Sequence, residues 1–133
     1  MTASSFGQGD SSLQAAGGFK GLQQLAHDFY YAMETRADAA HIRAMHPTDL
    51  SESSDKLARF LTSWLGGPAL YREKYGPISI PRAHAHLAIG IAERDAWLAC
   101  MQEALEQQAY SCDFKAYLLR ALSVPAERCR TQD

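Results

Sequence analysis

Five residues in this 133-residue chain have side chains and positions suited to chemistry on a bound group: Tyr30, His46, His84, His86 and Trp97. His84 and His86 stand two apart in "PRAHAHLAIGIAERDAWLACM", just ahead of a segment with helical periodicity that carries Trp97. On an extended strand an H-x-H pair can present two metal ligands on one face. On a helix, positions two apart diverge, so only one of them can face inward. The ordinary reading is that both are surface imidazoles. Against it stands the setting, a short proline-bounded piece followed by Leu87 and Ile89. A piece pressed against a flat, apolar, iron-centred group would need one inward histidine. Tyr30, His46 and Trp97 are donors on or beside apolar faces. They read equally as aromatics with one wet edge plus a loop histidine, or as three donors converging on one pocket.

Other chemistries fit the residues less well. No G-x-S-x-G is present, and Cys100 falls on an apolar stripe, which makes it a core residue rather than a nucleophile. Glu93 and Asp95 lie near a helix start, where acids are expected for dipole reasons. Gly17-Gly18 and Gly66-Gly67-Pro68 lack the phosphate-loop pattern. Cys100, Cys112 and Cys129 form no CxxC pair, which suits reduced thiols rather than a disulfide frame or a structural zinc site. The net charge is -2 with scattered Lys and Arg, so no nucleic-acid footprint is expected. No apolar run reaches membrane-spanning length, and the N-terminus lacks a secretory pattern. The expected location is therefore the cytoplasm.

These residues must be positioned by helices. Leu22, Leu25, Ala26, Phe29 and Met33 recur at i, i+3, i+4, i+7 and i+11, one face of a helix with Tyr30 at its edge. A short helical piece is expected from Asp38 to Met45, ended by His46-Pro47, with His46 at a loop corner where movement is cheap. Leu57, Phe60, Leu61 and Trp64 give a second stripe, stopped at Gly66-Gly67-Pro68. Residues 69–81 are expected to be mostly irregular. A third stripe holds Trp97, Cys100, Met101, Ala104 and Leu105, and a fourth holds Phe114, Tyr117, Leu118, Ala121 and Leu122. The fold class is all-α, with four main helices in two pairs. Residues 1–12 are expected to form a mobile tail, 13–124 one domain, and 125–133 a loose tail.

Three stretches in order, "GGFKGLQQLAHDFYYAM", "FLTSWLGGPALY" and "IAERDAWLACM" with His84 nine residues before Glu93, carry a resemblance. The chain resembles the group II truncated haemoglobins from about Leu13 to about Leu122. The resemblance implies a two-over-two helical sandwich around haem b. It implies that His84 is the proximal iron ligand, with His86 facing away. It implies that Tyr30 and Trp97 act on the bound ligand, with Ser53 at the distal position of the covering helix and Leu57 one turn on. Leu57, Phe60, Tyr71, Leu87 and Trp97 would contact the haem. His46 replaces an aromatic residue common at its position, which adds a third donor or a second iron ligand on the distal side. Arg is common before the proximal histidine and Ala83 stands there, so Arg82 or Arg72 would pair with the propionates. The ligands implied are oxygen, nitric oxide, carbon monoxide or peroxide, with a reductase as partner. The chemistry implied is nitric oxide detoxification, peroxide reduction or sensing rather than bulk transport. A rival from the residues alone is a non-haem helical protein that uses its apolar faces to bind a partner.

Overall fold

The structure, a computed structural model, describes residues 9–77, 84–85 and 87–131. Among the described residues, seven α-helices with both ends described run in order: α1 (Ser11–Ala15), α2 (Gly18–Thr35), α3 (Ala40–Ala44), α4 (Ser51–Trp64), α5 (Leu70–Tyr75), α6 (Ile91–Glu106) and α7 (Cys112–Arg128). A 3-10 turn at Ala37–Ala39 leads into α3. The described residues contain no strand.

The stripe on α2 becomes the spine of the core. Leu22, Leu25, Ala26, Phe29, Ala32 and Met33 are all buried. This face packs on α4 and on α6, and α6 packs in turn on α7. From α6 come Ala96, Cys100, Met101, Ala104 and Leu105, and from α7 Phe114, Leu118 and Leu122. Burying one large apolar side chain of this kind is worth about 1.5–3 kcal/mol, so the continuous stripe, more than helix propensity, holds α2 in place. Cys100 is fully buried, and burial pushes its thiol up to about 11, which suits a core residue.

Helix ends follow local chemistry. Ser111 caps α7 by accepting from the Phe114 N–H. Glu93 accepts from the Gly90 N–H at 2.7 Å, tying down the first turn of α6, and also meets His41 of α3. Gly66 has φ +102°, and a Cβ there would lie 2.0 Å from the Gly9 carbonyl oxygen. The Gly-Gly-Pro stop after α4 is thus also the surface against which the segment entering α1 lies. Ser12 of α1 is buried and donates to the Tyr117 hydroxyl of α7.

Three expectations are corrected. Residues 69–81 were expected to be irregular, but Leu70–Tyr75 is helical, because Lys74 and Tyr75 reach back to Asp55 of α4. Trp64 is not on the core stripe. It stands 37 % exposed and stacks on Phe60 at 6.0 Å, while Ala58, Leu61 and Thr62 take the buried positions. The segment after Pro125 is not loose as far as Arg128, since α7 runs through the proline. An internal proline costs about 3 kcal/mol. Packing offsets it here, for Pro125, Ala126 and Cys129 all line the cavity described next.

Candidate functional site

One cavity of about 420 Å³ opens between α2, α4, α6 and α7. Its wall collects nearly every residue singled out in the sequence: Tyr30, His46, Ser53, Leu57, Phe60, Tyr71, His84, Leu87 and Trp97. Arg82 and His86 lie outside the described residues. Arg72 is exposed and does not line the cavity.

Each side chain arrives by simple helical geometry. Phe29 and Tyr30 are successive on α2, so their rings diverge. Phe29 is fully buried, and Tyr30 turns to the cavity with its ring edge-on to Phe29 at 4.9 Å. The Trp97 ring from α6 packs on the other side of Phe29, also at 4.9 Å. One buried phenylalanine therefore backs two donors from two helices. On α4 the positions i, i+3, i+4 and i+7 bring Ser53, Lys56, Leu57 and Phe60 to the cavity. Ser54 and Asp55 face a second, more polar cavity of about 520 Å³, which Tyr30 also lines. The serine on the main cavity is therefore Ser53.

Tyr30 and His46 meet edge to face, with ring centroids 5.7 Å apart. Burial raises the Tyr30 phenol well above its ordinary value, so it keeps its proton. Burial also lowers His46, the Ile42 carbonyl opposes that, and the nearby charges of Arg43 and His84 lower it further. Neutral imidazole is thus the favoured form. His46 Nδ1 lies 2.8 Å from the Ile42 carbonyl oxygen. A carbonyl only accepts, so Nδ1 carries the hydrogen and Nε2 keeps its lone pair. Neutral His46 therefore cannot be the third donor expected from sequence; its free nitrogen accepts or ligates. Its loop is also more tied than a loop corner suggests, for Arg43 donates to the Pro47 and Thr48 carbonyls at 2.9 Å each.

Several lining residues were missed by sequence reasoning. Ile42 and Met45 come from the α3 segment, Glu93 and Arg94 from the first turn of α6, and Leu122, Pro125, Ala126 and Cys129 from α7 and its end, while Ile89, just ahead of α6, lines the cavity as its apolar setting suggested. Lys56 was missed too, although its spacing in the Ser53–Leu57–Phe60 row is a signal that could have found it. Lys56 and Arg94 are the cations on the wall among the described residues.

The family model for bacterial-like globins matches residues 12–124. The chain belongs to this globin family. It is similar to the group 2 truncated hemoglobin YjbI of Bacillus subtilis (strain 168), with 32% identity over 111 residues covering 84% of this chain and 82% of that one. Among solved structures it resembles the group II 2-on-2 hemoglobin of Agrobacterium tumefaciens, with TM-score 0.85, 35% identity, and coverage of 92% of this chain and 95% of that one. It also resembles the truncated oxygen-avid haemoglobin of Bacillus subtilis, with TM-score 0.81, 29% identity, and coverage of 90% and 98%. The fold is accordingly the two-over-two sandwich of a truncated globin. Globin membership brings haem and diatomic ligands with it. The cavity suits such a group: a largely apolar lining for a macrocycle, an imidazole on its wall, and Lys56 to meet a carboxylate.

Proposed function

We propose that this globin holds haem b in the 420 Å³ cavity with His84 as the iron ligand, and works on bound oxygen, nitric oxide or peroxide rather than carrying oxygen in bulk. The observation that carries the reading is convergence. Tyr30, His46, Ser53, His84 and Trp97 come from five separate segments and line one apolar cavity. When bound, haem would supply a redox-active iron able to hold both an imidazole and a small ligand.

In this reading the chain's own residues divide the work. His84 supplies the imidazole. Leu57, Phe60, Tyr71 and Leu87 pack on the macrocycle and keep water from it. Lys56 on the cavity wall meets the propionates. Tyr30 and Trp97 donate hydrogen bonds to the small ligand, and Ser53 lies on the same wall. Donors fixed in a poorly hydrated pocket favour a ligand that gains negative charge, and they slow its release. The Phe29 backing supports this role, because it holds both rings without consuming either donor. Slow release suits redox chemistry or sensing, with a reductase to return electrons; likeness to an oxygen-avid relative supports it too. His46, with its lone pair on Nε2, is suited to compete as an internal ligand.

The test is haem retention and absorption in the parent, His84→Ala and His86→Ala. The parent and His86→Ala are expected to give a strong Soret band after addition of hemin, and His84→Ala to lose haem readily. A parent without that band would favour the helical partner-binding protein. Loss in His86→Ala with retention in His84→Ala would reverse the assignment.

A further inference from the structure

Just beyond α7, Thr131 brackets the segment that carries His84. Its Oγ1 donates to the Leu87 carbonyl at 2.6 Å and accepts from the Ile89 N–H at 2.8 Å. Its own N–H donates to the Ile89 carbonyl at 2.7 Å. Leu87 in turn donates its N–H to the His84 carbonyl at 3.0 Å. An unbroken run of hydrogen bonds thus leads from Thr131 to the backbone of His84. A second tether runs beside it, for Glu127 of α7 pairs with both Arg94 of α6 and Arg130. Only a hydroxyl can both donate to the Leu87 carbonyl and accept from the Ile89 N–H at one atom.

We propose that Thr131 is a positioning residue for His84: the end of the last helix sets how the imidazole is presented to the cavity. This rests on the haem reading above. His84 itself is helical, whereas residues 87–90, which lead on to α6, belong to no helix. The course of that non-helical stretch is set by contacts from other elements, and it is bonded to the His84 carbonyl through Leu87. Thr131 is exposed and Leu87 half-buried, so without the hydroxyl the Leu87 carbonyl can turn to water, whereas Ile89 is buried and its N–H loses a partner. The cost to the scaffold is limited to that one N–H, while the His84 segment gains freedom.

The experiment compares the haem-loaded parent with Thr131→Val, which keeps the shape, and Thr131→Ser, which keeps the hydroxyl. Three quantities are read: the iron–histidine stretching band of the ferrous five-coordinate protein, the rate of hemin loss to an excess of apomyoglobin, and the melting temperature of the apoprotein. Thr131→Val is expected to shift or broaden the band and to speed hemin loss about tenfold, from two hydrogen bonds each worth several-fold. Thr131→Ser is expected to match the parent in both. Apoprotein melting should stay within about 5 °C of the parent in both variants. A parent-like band and hemin loss in Thr131→Val would overturn the positioning role alone. So would a Thr131→Ser that behaves like Thr131→Val, or a large drop in apoprotein melting, which would make Thr131 a scaffold residue. A parent that gives no Soret band after hemin is added overturns the haem reading, and the positioning role with it.

Discussion

Tyr30→Phe separates a ligand-binding hydroxyl from a structural one. The Tyr30 ring is held by Phe29 at 4.9 Å and His46 at 5.7 Å, both edge to face, and phenylalanine preserves those contacts. No protein group among the described residues accepts a hydrogen bond from its hydroxyl. Burial keeps the phenol protonated through the neutral range, so it is a donor throughout. Deleting it removes one hydrogen bond to ligand and none to the scaffold. A loss of about 1.4 kcal/mol speeds oxygen dissociation about tenfold. His46 cannot take over, because its Nδ1 hydrogen is spent on the Ile42 carbonyl and its Nε2 holds a lone pair. Apoprotein stability should change by less than about 0.5 kcal/mol. The assay is stopped-flow displacement of oxygen by carbon monoxide, with chemical unfolding of the apoprotein in parallel. An unchanged dissociation rate, or an apoprotein weakened by more than about 1 kcal/mol, would refute the reasoning.

Further expectations follow from the same geometry. Ferric parent protein at pH 8 should contain a six-coordinate fraction that His46→Leu lacks; identical spectra would keep His46 off the iron. Burial pushes the Asp55 carboxyl up, but hydrogen bonds from Tyr75, Lys74 and Arg59 outweigh it and hold the group down at about 2. Its folded value is depressed, so its stabilisation is fully present above about pH 4 and lost as pH falls toward 2. That loss is at most about 2 kcal/mol, and acid unfolding of Asp55→Asn should show a correspondingly smaller fall over that window. Gly21→Ala would put a Cβ 1.9 Å from the Ala16 carbonyl oxygen, which also accepts from Tyr110 at 2.9 Å. Denaturant unfolding should show a loss of about 2 kcal/mol or more, since backbone rather than a flexible side chain must give way.

The sequence by itself determined what is periodic and local. Apolar spacing along Leu22–Met33, Trp97–Leu105 and Phe114–Leu122 is set by helical geometry, and each of these stripes is largely buried where that geometry puts it. The cavity residues from Tyr30 to Trp97 were legible because their types and order resemble a known family. Which nitrogen of His46 holds its hydrogen was not legible, because that depends on the Ile42 carbonyl as the chain turns. Nor was the face of Ser53 against Ser54, which depends on how α4 is rotated against α2. Proline and glycine misled in two places. They act on local backbone preference, whereas α5 is held by Asp55 and the end of α7 by packing around the cavity. Thr131 gave no signal at all. Its role comes from meeting Leu87 and Ile89, more than forty residues back, and only the packed tertiary structure brings them together.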